Sequence, residues 1–208
     1  MITDLSTEAF LDALASGNAT PGGGSAAAVM GAMAAALVSM VCNLTIGKKG
    51  YESAEAEMKS VLGEAEALRT RLLEMVPQDI AAFDWLMAGY KLPKGTDAEK
   101  SARSAAIQKG LQGATQVPLD CAVACAEVMR LTARAVEVGN VNVISDVGVG
   151  VLAGWAALRS AALNVHINAP QIKDREFAES RLAQLEELLA ECGPLAEQVH
   201  DKVHGKLG

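Results

Sequence analysis

Aromatic side chains are scarce in this chain, at 3% of its 208 residues, although half of the residues are hydrophobic. An interior without rings must be filled by Ala, Val, Leu and Met. Small side chains let helices approach closely but bury little area each. Such a chain gains stability from a subunit interface, and a homodimer is expected. Cations are also in short supply: 18 Lys and Arg against 25 Asp and Glu leave a net charge of -7. That balance excludes a binder of phosphate backbones, which needs clustered cations to displace counterions, so no nucleic-acid partner is expected. The start, Met1-Ile2-Thr3-Asp4, lacks the positive region of a signal peptide. Four cysteines, Cys42, Cys121, Cys125 and Cys192, are too few and too scattered for a disulfide framework. A cytoplasmic protein is the expectation. Cys121 and Cys125 share a helix face, as do His200 and His204. The first pair has no further ligand at a fitting distance and the second lies in a polar tail, so no metal is expected.

Charge is missing altogether from Pro21 to Gly47, after which Lys48, Lys49, Gly50 and Tyr51 follow abruptly. The uncharged stretch is long enough to span a bilayer. It is built from Ala and Gly, however, with Ser39, Asn43 and Thr45 near its end, and no companion span or aromatic belt accompanies it. A buried helix of a protein that does not enter the membrane is the better reading.

Prolines fall at 21, 77, 93, 118, 170 and 194, and between them apolar residues recur at helical spacing. The pattern predicts an all-α, up-and-down helical bundle forming one domain over residues 1–208. Ser6 caps a short helix through Leu14, and a central apolar helix runs from Ser25 to about Ile46. An amphipathic helix opens at Ser53 or Ala54, is interrupted at Pro77, and continues from Asp79 to Met87. Thr96 or Asp97 caps a long helix that Pro118 should kink before it resumes from Leu119 to Val138. Val141 to Val165 reads as a second small-residue central helix, with an uncertain β-branched first turn. A last helix runs from Lys173 to near Cys192, and a further turn or two follow Gly193-Pro194.

Both central helices carry ladders with a spacing of four. On the first, Ala27, Gly31, Ala35, Ser39, Asn43 and Gly47 form one drifting stripe; on the second, Asn142, Asp146, Gly150 and Gly154 do the same. Stripes without bulk suit close packing of these two helices on each other or across a dimer axis. Packing alone leaves Asn43, Asn142 and Asp146 unexplained. An Asp among apolar neighbours needs a partner, and Lys48 or Lys49 is the obvious cation. The run Thr20-Pro21-Gly22-Gly23-Gly24-Ser25 lacks a preceding strand and the Walker lysine, so it is a turn that exposes bare backbone to a ligand or another helix.

The segments TPGGGSAAA (20–28), NLTIGKKGY (43–51), KLPK (91–94), AIQKGLQGAT (106–115), VPL (117–119), GNVNVISDVGVG (139–150) and ALNVHIN (162–168) follow one another in order. In this the chain resembles the cyclodeaminase/cyclohydrolase family of folate enzymes. The resemblance implies a dimerising helical bundle with a folate site between helices or at the subunit interface. It also implies a tetrahydrofolate derivative as substrate, with no cofactor. A chain without a formiminotransferase portion favours the cyclohydrolase, which opens 5,10-methenyltetrahydrofolate to 10-formyltetrahydrofolate. The alternative is the cyclodeaminase, which releases ammonia from 5-formiminotetrahydrofolate. A helical interaction module is the non-enzymatic alternative.

The expected chemistry needs a carboxylate near a cationic carbon, a proton shuttle, and amides on the pterin edge. Asp146 suits the first role, or the acceptance of pterin N–H donors. Lys48 would be the shuttle if burial lowered its pKa. Asp79, in the QDIAAF segment (78–83), resembles a family motif position, and that resemblance implies a second carboxylate that would take the acid/base role instead. Asn43, Asn142 and Asn168 would orient water and ring. Gly22, Gly23 and Gly24 would admit the ligand to the backbone. Tyr51 would stack on a ring, and Lys49, Lys91 and Lys94 would meet the glutamate tail.

Overall fold

A computed structural model describes Ile2 and residues 5–207, and the assigned elements within them are helices. They are α1 (Thr7–Ala15), α2 (Gly23–Asn43), α3 (Glu55–Lys91), α4 (Asp97–Val138), α5 (Ile144–Asn168) and α6 (Arg175–Leu207). Helices α2, α3, α4 and α5 form a four-sided bundle in which each packs on the next and α5 closes back onto α2. Helix α6 lies along α4 and α5, while α1 is only loosely attached.

Several helix ends follow from local chemistry. The Ser6 hydroxyl accepts from the Ala9 N–H, and Thr96 forms a reciprocal capping box with Glu99. Helix α2 begins two residues earlier than expected, at Gly23, and ends at Asn43; Gly47 then turns the chain with φ +72. The β-branched start of the second central helix is a 3-10 turn (Val141–Val143), and α5 proper runs on to Asn168.

Prolines are where the expected boundaries fail. Pro77, Pro118 and Pro194 all lie inside continuous helices, so the breaks expected at Pro77 and after Gly193-Pro194 are absent. A proline removes the donor to the carbonyl four residues back. At Pro118 that carbonyl belongs to Ala114, and the Asn168 side chain supplies the missing donor at 2.8 Å. Tertiary structure therefore repairs the defect that sequence reasoning treated as a kink.

The bundle core is aliphatic and small, with Val38, Met58, Leu72, Met129, Ile144 and Leu158 among its fully buried members. Gly31 of the first ladder faces α3 and α4, not α5: a Cβ there would stand 2.8 Å from Cys125 Sγ and 3.1 Å from Leu72 Cδ2. Contact between the central helices comes instead from the second ladder, where Gly150 and Gly154 lie against Ala34. Beyond the start of α2, α3 and α4 continue as a two-helix arm. Gly89 and Gly110 let its helices touch, and Leu86, Leu111, Ile172 and Ala178 form a small second core at its base.

Two helical segments are long and apolar enough to cross a membrane, Gly23–Asn43 and Val141–Gln171, so the expectation of no companion span is corrected. Of the apolar window in the first, 61% is buried in the protein; in the second only 44% is.

Candidate active site

Helices α2 and α5 run antiparallel, and their ends gather the expected site residues into two groups. Twenty residues at 1.5 Å each separate the groups by about 30 Å along α2. The start of α2 and the end of α5 hold Gly22, Gly23, Gly24, Asp79 and Asn168. The opposite end holds Asn43, Lys48, Lys49, Tyr51, Asn142 and Asp146.

At the first end the glycine that matters for close approach is Gly24. A Cβ on Gly24 would come within 2.1 Å of Asp79 Oδ1, so the carboxylate of α3 rests on the bare first turn of α2. The buried Ser25 hydroxyl donates to Asp79 Oδ2 at 2.8 Å. Asp79 thus ties α3 to the first turn of α2 through the Ser25 hydroxyl. Burial pushes its carboxyl above the ordinary value, and hydrogen bonding by Ser25 opposes that rise.

Asp79, Pro118, Asn164 and Asn168 are among the residues that line a narrow pocket of about 60 Å³. Asn164 and Asn168 each spend their amide N–H on a helix carbonyl, Ser160 and Ala114 respectively. Their amide oxygens have no hydrogen-bond partner among the described residues, so the pocket presents acceptors. Asn164 was missed in the sequence. Its signal was the i,i+4 spacing to Asn168, which places both on one side of α5.

The second end differs from its expectation. Asn43 and Asn142 are exposed, whereas the buried Asn there is Asn140. Its backbone N–H donates to Thr45 Oγ1 and its side chain to the Leu44 carbonyl, tying the α4–α5 turn to the end of α2. Tyr51 is a latch in the same seam, its hydroxyl accepting from the Val141 N–H at 3.0 Å. Asp146 and Lys48 are half-buried, and no ion pair joins Asp146 to Lys48 or Lys49 among the described residues. Partial exposure is why Asp146 tolerates the lack of a cation: water solvates it, and no uncompensated buried charge is created. Lys91 and Lys94 are exposed on the arm, at the Asp79 end.

Among the described residues, no group of three or more His, Cys, Asp or Glu is arranged to hold a metal ion. Cys121, Cys125 and Cys192 are buried free thiols, and burial pushes the Cys192 thiol up to about 11.

The described residues form an all-helical bundle in which a carboxylate of α3 rests on the glycine-rich start of α2. The sequence profile of formiminotransferase-cyclodeaminase matches residues 6–187. A methenyltetrahydrofolate cyclohydrolase from Methylorubrum extorquens is 57% identical over 200 residues, 96% of both chains. Formimidoyltransferase-cyclodeaminase from Rattus norvegicus is 32% identical over 191 residues, 92% of this chain but 35% of the relative. The crystal structure of formiminotetrahydrofolate cyclodeaminase from Thermotoga maritima matches with a TM-score of 0.90 and 32% identity, covering 100% of both chains. The chain belongs to the formiminotransferase-cyclodeaminase family.

Proposed function

We propose that this chain is a cytoplasmic enzyme that hydrolyses 5,10-methenyltetrahydrofolate to 10-formyltetrahydrofolate. The observation that carries the choice of reaction is the 57% identity to a cyclohydrolase, sustained over 96% of each chain.

The substrate's reacting carbon is a cationic amidinium bridging N5 and N10. Water adds to it, losing one proton and forming a tetrahedral carbon that bears a hydroxyl. The hydroxyl proton then passes to N5 while the C–N5 bond breaks and the C=O bond forms. The net reaction takes up one water and releases one proton. Asp79 fits the work of moving these protons: its raised pKa brings a carboxyl closer to neutrality, where it can both take and return a proton. The acceptor oxygens of Asn164 and Asn168 suit the N–H edge of a pterin. Asp146, Lys48, Lys49, Asn43 and Asn142 stand about 30 Å away at the other end of α2 and do not reach the same reacting carbon within one chain, whereas Lys91 and Lys94, at the Asp79 end, are cations for the glutamate tail.

The methenyl chromophore provides the test. Loss of its absorbance on adding enzyme, with no ammonia released, is the expected result. Growth of that absorbance from 5-formiminotetrahydrofolate, with stoichiometric ammonia, would replace this reading with the cyclodeaminase. Unchanged absorbance with both substrates would overturn both reactions.

A further inference from the structure

Three prolines stand inside helices, and each leaves the carbonyl four residues back without its helical donor: Leu73, Ala114 and Ala190. The three meet different surroundings. Pro194 and Ala190 are exposed, so water serves that carbonyl, and Pro77 is half-buried. Pro118 is buried, and among the described residues its freed carbonyl is the one that receives a side-chain hydrogen bond, from Asn168 Nδ2. Ala114, Val117, Pro118 and Asn168 all line the Asp79 pocket.

Repair alone does not account for this pair. Any other residue at position 118 would bring a backbone N–H and satisfy Ala114 unaided, and one side-chain hydrogen bond returns less than a proline inside a helix costs. What the proline adds is a demand on Asn168. A side-chain amide carries an NH₂ and an oxygen of nearly the same shape, so an unheld Asn can turn either one toward a ligand. Asn168 is held: its NH₂ answers Ala114, and its oxygen is the half left for the pocket. Asn164, one turn earlier, is held less firmly, because its acceptor, the Ser160 carbonyl, also serves the ladder of α5 itself.

Resting on the folate reading above, we infer that Pro118 is a positioning residue for the substrate. By withholding a helical N–H from Ala114, it fixes the Asn168 amide in one orientation, with Oδ1 presented as an acceptor. The pocket then takes the ring edge that carries N–H donors and turns away an edge that carries a carbonyl, because two acceptors face to face repel. Its volume of about 60 Å³ admits such an edge and not a whole folate, since sites that enclose drug-sized ligands run to roughly 300–1,000 Å³. Reading one edge is therefore the work this pocket can do.

A double-mutant cycle on the full chain tests the inference. Pro118→Ala, Asn168→Ala and the two together are each measured for hydrolysis of 5,10-methenyltetrahydrofolate and for melting temperature. Pro118→Ala gives Ala114 a helical donor and releases Asn168. KM is expected to rise about 10-fold with kcat kept within about three-fold, the pattern of a lost binding contact. Asn168→Ala should raise KM at least as much and lower the melting temperature, because Ala114 is left unpaired. In the double variant the melting temperature should recover, while KM stays within about two-fold of the Asn168→Ala value. A proline with only a structural role would not separate the two readouts in this way. A KM for Pro118→Ala that stays within about two-fold of wild type overturns the positioning role. Effects on KM that multiply in the double variant also overturn it, since Pro118 would then act as a wall independent of Asn168. A wild type that leaves the substrate unhydrolysed overturns the folate reading, and this role with it, before any variant is compared.

Discussion

The two ends of the α2–α5 pair are built by opposite rules. At the Asp79 end the polar groups are placed by neighbours: Ser25 holds the carboxylate, Ala114 holds Asn168, and Gly24 clears the space. At the Lys48 end the polar groups with partners, Thr45, Asn140 and Tyr51, hold the chain together, while Asn43 and Asn142 are exposed and Lys48 and Asp146 half-buried. A site is thus legible in one chain only where its groups are fixed by that chain. Groups not fixed by that chain look like ordinary surface.

The sharpest way to break this comparison is Asp79→Asn, which keeps the shape and removes the proton carrier. Turnover should fall roughly 100- to 10,000-fold with the helix content unchanged; near-normal rates would reduce Asp79 to a tie between helices. Gly31→Leu comes next and touches neither end. Its Cβ has only 2.8 Å to Cys125 Sγ, so overpacking should cost about 1–3 kcal/mol or more and lower the melting temperature. An unaltered melting curve would show that the small-residue stripe is not tightly packed.

Ser25→Ala is subtler. Removing a hydroxyl that favours the Asp79 carboxylate should raise the Asp79 pKa further and move the acidic limb of the kcat/KM profile to higher pH. A limb that stays in place would mean that another group titrates. The smallest effect is expected from Tyr51→Phe, which deletes the acceptor for the Val141 N–H. A stability loss of about 1 kcal/mol or less, with turnover kept within a few-fold, fits a latch. A loss of turnover without destabilisation would return Tyr51 to the substrate.

The all-α class, the capping residues and the small-residue helices were legible because they depend on local chemistry and on a period of 3.6 residues. Breaks expected at Pro77 and at Pro194 were not there, since packing along a long helix outweighs one lost hydrogen bond. Asp79 was visible only through its resemblance to a family position, because nothing local distinguishes it from any exposed acid on an amphipathic helix. The direction of the first ladder was misjudged for a related reason: a stripe of small residues says that something comes close, without saying which helix.

What the sequence determined by itself, then, was the helical bundle, its family and its stock of reactive side chains, since periodicity and motif order are written along the chain. Tertiary structure alone decided which of those side chains meet. It set Asp79 on Gly24 across a sequence distance of 54 residues from Ser25. It also carried Lys48 and Asp146 to the far end of a rigid helix. The reason is geometric: a helix of 21 residues holds its ends about 30 Å apart, and only contacts between helices, or between chains, can bring such groups together.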